Sequence, residues 1–339
     1  MKKIALITDK EGWAFDNCAK AIKKYLDEFY EIDIIPMELF EDNAVKCFML
    51  SEYYDLMFVL WRGQISWLRG ENSINYMASI GFTYEEYMNK YIRNGKILTG
   101  VFDHLYTDKK DPEYSLTEYV CNEVAGYAVC SEKLDKIYKK IPNIKNPDFV
   151  ISDGIDTDMF FMKDKDRFKN KKDNQELIVG WCGNSKFLDA QDDDLKGLNK
   201  VIKPAIEELQ KEGYNIRLDA ADRNIKQIPH EKMPDYFNSI DVYVCASRTE
   251  GHPDPVFEAV GCGVPVIATD VGIVPEIFGE KQKKYIIKRD KDDLKKKLIR
   301  LMEDKEELVK LSEENLTQIP NWTWKNQAMK YKKFFEKYL

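Results

Sequence analysis

No apolar run in this sequence approaches the roughly 18 residues a membrane helix requires, and the run IALIT near its start meets charge too soon to be a secretory leader. The expectation is a cytoplasmic protein, with peripheral contact at the inner membrane face as the most a bilayer is offered. Cationic side chains show no surplus: 52 Lys and Arg stand against 59 Asp and Glu, a net charge of −7, which argues against nucleic acid as a partner. No two of the seven cysteines (Cys18, Cys47, Cys121, Cys130, Cys182, Cys245, Cys262) stand at metal-ligand spacing. Their odd number and apolar settings mark reduced core residues. No Gly-x-Gly-x-x-Gly follows a predicted first strand, which excludes an ordinary dinucleotide oxidoreductase.

The chain does hold a repeated alternation. Buried-strand runs at 4–8, 31–37, 55–61, 96–102 and 126–131 are separated by helical spacings around 84–93, 113–124 and 132–140, which predicts a parallel sheet covered on both faces. A lysine-rich stretch at 163–175 reads as a solvated loop and domain boundary. The rhythm then restarts with strands at 176–183, 214–221, 241–247 and 264–269, a helix over 195–212 and a short one over 231–238. The expectation is two Rossmann-like α/β domains, 1–155 and 156–320, followed by an aromatic-rich helix at 321–339. Its Trp324, Tyr331, Phe334, Phe335 and Tyr338 read as a packing stripe, with Lys330, Lys332, Lys333 and Lys337 leaving interfacial binding open.

In doubly wound sheets ligands sit beyond the carboxyl ends of strands, where helix N-termini direct amides outward. In the first domain this singles out the Gly12 loop, Trp61-Arg62-Gly63 with Trp67 and Arg69 beyond it, and Asp103-His104. In the second it singles out Gly183-Asn184-Ser185-Lys186, Lys196-Gly197, and the loop Arg248 to Pro255. Glu250 lies in that loop, and Glu258 is expected in the first turn of a helix starting near Asp254 or Pro255. One carboxylate is suited to both hydroxyls of a ribose, the other to whatever a phosphate carries. Asp192-Asp193-Asp194 has the composition of an Asp-x-Asp metal motif but reads as an exposed loop, so no metal is expected.

The run from Asp241 to Phe278 resembles the donor-binding signature of retaining GT-B glycosyltransferases of the family 4 type. Glu250, seven residues, Glu258, then Cys262-Gly263-Val264-Pro265-Val266-Ile267-Ala268-Thr269-Asp270-Val271-Gly272 and Pro275-Glu276 carry the likeness. Val150-Ile151-Ser152-Asp153-Gly154-Ile155-Asp156 with Phe160 is similar to the family's interdomain junction. The resemblance implies a GT-B fold: two Rossmann-like domains with parallel sheets facing across a cleft, and a C-terminal helix crossing back to the first. It implies a nucleotide-diphosphate sugar donor (UDP- or GDP-sugar), no cofactor, and a carbohydrate, lipid-linked or protein acceptor.

The same resemblance implies donor contacts from Gly12, Gly183, Asn184, Ser185, Lys196, Arg223, Glu250, Gly251, His252, Pro253, Val256 and Glu258, with Glu250, Lys196 and His104 catalytic. Trp61, Arg62 and Asp103 are the acceptor-side candidates. Asn184 or Ser185 stands where the family carries an arginine, so Lys186 or Arg223 is a candidate substitute. The rival readings are a nucleotide-sugar binding scaffold without turnover and a nucleotide-sugar epimerase on the same fold.

Overall fold

The computed structural model describes residues 1–103, 105, 107, 110, 114–172, 175–186 and 194–339, so His104 and Asp192-Asp193 lie outside the described residues. Internal contacts divide the chain into Met1–Asp153 with Trp324–Leu339 (unit 1) and Gly154–Thr323 (unit 2).

Unit 1 is built on six parallel strands: β1 (Lys2–Thr8), β2 (Tyr30–Pro36), β3 (Leu56–Val59), β4 (Ile97–Val101), β5 (Gly126–Val129) and β6 (Phe149–Val150), in the order β2-β1-β3-β4-β5-β6. Runs such as Ile4 to Ile7 and Leu56 to Val59 are wholly buried, because helices cover both faces of the sheet. One cover is the helix Trp324–Glu336, packed beside Ala14–Leu26. Its Tyr331 and Phe335 rings each sit 5.6 Å from the ring of Phe58. Burying each such ring stabilises the unit by about 1.5–3 kcal/mol. Most of the aromatic stripe, Trp324, Tyr331, Phe334 and Phe335, is therefore committed to the core. Among the described residues no helix is long and apolar enough to cross a membrane.

Unit 2 carries β7 (Leu177–Gly183), β8 (Ile216–Asp222), β9 (Val242–Cys245), β10 (Val266–Thr269) and β11 (Ile286–Ile287), parallel and ordered β11-β10-β9-β7-β8. Chain order reverses between β1 and β3 in one sheet and between β7 and β9 in the other, the two positions where such sheets open a crevice.

Two expected helices take a different form. The one over 195–212 opens as a π turn, Leu198–Ile202, and continues as α-helix only over Lys203–Lys211. Pro204 has no N–H to continue an α ladder, and Ile202 donates to the Gly197 carbonyl five residues back (3.0 Å). The segment 84–93 likewise passes from Tyr84–Tyr87 into a π turn over Met88–Ile92. The lysine-rich stretch is not merely a solvated loop. Lys171 is buried and bridges the Asp241 carboxylate (2.8 Å) and the Glu176 carbonyl (2.8 Å). Arg167 caps the carbonyl end of the helix Met233–Ser239 through the Asn238 carbonyl (2.9 Å), and Phe168 enters the core.

Candidate active site

The crevice of unit 2 is assembled from the ends of β7 and β9. After β9 the chain runs Ala246-Ser247-Arg248-Thr249-Glu250, and Ser247 is fixed when Thr269, at the end of β10, donates to its carbonyl (2.6 Å). Ser247 in turn donates its hydroxyl to Glu250 Oε1 (2.7 Å), and Lys196 Nζ meets the same oxygen at 2.6 Å. Burial works against the Lys196 charge, but Glu250 outweighs it by Coulomb attraction and hydrogen bonding, so the ammonium is held above its usual range. The pair is only partly exposed, 25% for Lys196 and 16% for Glu250, which keeps water from screening it fully.

Backbone contacts lock this pair in place. Gly197 adopts φ +76°, and an added Cβ there would stand 2.2 Å from the Ala246 carbonyl oxygen. Arg289 donates to that carbonyl (3.0 Å) and to the carbonyl of Asp194, tying the Lys196 turn to the end of β9. Gly272, at φ +45°, lies against Gly251, whose carbonyl accepts from the Ile273 N–H (3.0 Å). Only glycine fits either approach.

The helix expected near Asp254 spans Asp254–Gly261 and is preceded by Pro253 as N-cap. Glu258 is therefore its fifth residue and lies beyond the first turn. It does not compensate the helix dipole there; its Oε1 lies 3.2 Å from His230 Nε2. Burial pushes the Glu258 carboxyl up, with the His230 hydrogen bond pulling against it. The His230 imidazole is raised by that same bond, against its own partial burial.

Several other candidates are committed to the fold. The His252 ring stacks on Phe257 (4.0 Å between centroids), its Nδ1 is 2.8 Å from Asp254 Oδ1, and the side chain is 2% exposed. Pro253 and Pro255 have no N–H, and the Val256 N–H closes the helix's first turn on the Pro253 carbonyl (2.9 Å), so it is not offered to a phosphate.

Where an arginine was expected, Asn184 Oδ1 accepts from Asn224 Nδ2 (2.8 Å) and from the Lys186 N–H (2.9 Å). Ser185 donates its N–H to Asp222 Oδ1 (3.3 Å). Burial would raise the Asp222 carboxyl, but the Ser185 and Asn224 donors overcome it and hold it below its usual range. The tips of β7 and β8 are thus joined by a network of amides around the Asp222 carboxylate. Arg223 sends its N–H to the Gly183 carbonyl (2.9 Å), and its side chain, like that of Lys186, is exposed.

In unit 1 the Gly12 N–H is taken by Asp16 Oδ2 (2.8 Å), so a carboxylate already occupies the place where a phosphate was expected. Arg62 is buried and grips Asp103 with two bonds (2.8 and 3.1 Å), holding the loop after β4. Arg62 is enclosed by this pairing, whereas the Asp103 side chain keeps 34% exposure. Trp61 is 38% exposed and packs edge-on to Trp67 (5.4 Å). His104 lies outside the described residues.

Sequence reasoning did not single out His230 or Arg289. The signal available for His230 was its position ahead of the short helix that leads into β9, on the crevice side of the sheet.

Residues 167–317 match the family profile described as Glycosyl transferases group 1. The chain is similar to the lipopolysaccharide core biosynthesis mannosyltransferase LpsB of Rhizobium meliloti, 39% identical over 77 residues, which are 22% of this chain and 21% of LpsB. Across LpsB and two further curated relatives, the match spans only 14% to 30% of the relative's own length. Among solved structures, the sucrose-phosphate synthase of Thermosynechococcus elongatus superposes with a TM-score of 0.67 at 15% identity, covering 99% of both chains. Anabaena HepE in complex with UDP-glucose superposes at 0.65 with 11% identity, covering 99% of this chain and 100% of the other. The chain has the GT-B fold, and residues 167–317, within its second unit, match the glycosyl transferases group 1 profile.

Proposed function

We propose that this protein is a retaining GT-B glycosyltransferase of the family 4 type, moving a sugar from a nucleotide-diphosphate sugar to an acceptor hydroxyl in polysaccharide or glycoconjugate biosynthesis. The observation that carries this reading is the Lys196–Glu250 pair at the switch point of unit 2, inside the matched domain. Breaking the bond from anomeric carbon to phosphate leaves growing negative charge on the departing diphosphate, and the main task of the site is to stabilise it. Lys196 supplies a charge for that oxygen, with Arg223 in place of the missing arginine. Glu250 accepts hydroxyls of the donor sugar, and Glu258 the two hydroxyls of the ribose. The acceptor hydroxyl gives its proton to the leaving phosphate on the face it attacks, which yields retention without a protein nucleophile. The UDP-glucose complex of HepE supports a UDP-sugar as donor.

A thermal-shift panel of UDP-, GDP-, ADP- and CMP-sugars tests the reading. A UDP- or GDP-sugar at 100 times its Kd is expected to stabilise unit 2 by about 2.7 kcal/mol, a rise of roughly 5–11 °C. No shift with any donor would remove the proposal. Because Lys196 and Arg223 are the assigned neutralising charges, turnover is also expected to survive EDTA. Loss in EDTA with recovery on added manganese would overturn the metal-independent mechanism. Asn184 is the feature that favours a binding scaffold, and donor binding without product in a transfer assay would support that alternative.

A further inference from the structure

The contact between His230 and Glu258 assigns the ribose end of the donor site a component that no sequence motif marks. His230 opens the turn His230–Lys232 and is 46% exposed, while the Glu258 side chain is 15% exposed. Their side chains meet at 3.2 Å, and the imidazole is flanked by the Phe160 ring at 5.5 Å between centroids. A carboxylate this enclosed accepts two ribose hydroxyls only while it is ionised, since a protonated carboxyl loses half of that capacity and gains a donor of its own.

We propose that His230 is a positioning residue for the nucleotide's ribose: it holds the Glu258 carboxylate in one orientation and keeps it an anion in an enclosed setting. This rests on the donor reading above and specifies one contact within it. The charged surroundings point the same way. Asp254, on the same helix as Glu258, and Glu231, beside His230, both favour the imidazolium, whereas Asp254 also favours a protonated Glu258. On the other side of Glu258, His252 favours the anion but is already held by Asp254. His230 is thus the partner bonded directly to the carboxylate.

The sign follows from the directions of these shifts. Burial raises Glu258 and His230 lowers it. Without His230, Glu258 takes up its proton at a higher pH, and affinity begins to fall at a higher pH than in the wild type. Below both values the penalty is about tenfold for each pKa unit by which His230 holds Glu258 down. As the pH rises and Glu258 ionises in both proteins, the affinities converge to within a few-fold.

The test is calorimetric titration of UDP and GDP into the wild type, His230→Phe, His230→Gln, Glu258→Gln and the double variant His230→Phe/Glu258→Gln, at pH 5.5 and pH 8. The exposed position of His230 lets these variants fold, and Gln retains a hydrogen-bond donor, so it should recover part of the loss. The expected result is a Phe penalty at least several-fold larger at pH 5.5 than at pH 8, and absent in the Glu258→Gln background. An equal penalty at both pH values, or one that persists unchanged beside Glu258→Gln, overturns the inference alone. If neither nucleotide binds the wild type, the donor reading falls and this inference with it.

Discussion

Replacing Lys196 by alanine is expected to lower glycosyl transfer by about 10²–10³-fold, the usual cost of removing one group that stabilises charge developing in the transition state. The fold should survive. Glu250 keeps its bond from Ser247 and is not wholly enclosed, so the stability loss is expected to be about 1–2 kcal/mol. Steady-state kinetics separates the possible roles. A fall in kcat and kcat/KM together places Lys196 at the departing diphosphate, whereas a rise in KM with kcat unchanged would assign it to ground-state binding and overturn the leaving-group role. Burial disfavours the ammonium, but its pairing with Glu250 holds it above its ordinary range.

The second large effect lies next to it. Gly197→Ala is expected to destabilise unit 2 by about 3 kcal/mol or more, because the added methyl would stand in a left-handed conformation and within 2.2 Å of the Ala246 carbonyl oxygen. That oxygen cannot simply move away, since Arg289 binds it. Gly12→Ala is the control: its φ is also +76°, but no atom lies within 4 Å of the added Cβ, so only the conformational cost of about 1–2 kcal/mol applies. Denaturant midpoints read both, and equal losses at the two positions would show that the Ala246 contact carries no weight.

The parts of the molecule that could be read in advance are those where one physical pattern dominates a stretch of chain. Strands such as Ile4 to Ile7 and Val242 to Cys245 are continuous apolar runs because both faces of their sheets are covered. The last aromatic helix declared its core face by spacing alone. What resisted reading depends on partners far apart in sequence. His230 and Glu258 are 28 residues apart, and Arg289 reaches Ala246 across 43; neither pair leaves a periodic trace. Strand β11 is two residues long, too short for any alternation to register.

Charge was the least legible property. The lysine-rich run around Lys171 looks solvated by composition, yet one of its ammonium groups is buried against Asp241. The Gly12 loop has the form of an anion cradle, but Asp16, four residues on, supplies the anion from within the chain. Arg62 follows a strand at the crevice edge, where it suggested ligand contact, and Asp103 neutralises it. In each case the residue type was correctly polar, and its counterpart decided the role.

The placing of the helix Trp324–Glu336 in unit 1 has a consequence for how the protein is made. That helix covers Phe58 and its neighbours, yet all of Gly154–Thr323 must be synthesised before it emerges. At translation rates of about 5–20 residues per second, the first sheet waits on the order of ten to thirty seconds with part of one apolar face uncovered beside the helix Ala14–Leu26. Unit 2, whose segments are contiguous, meets no such delay. Unit 1 therefore begins to emerge before unit 2 yet finishes folding after it, and it is the more exposed of the two to chaperones and to aggregation in the meantime.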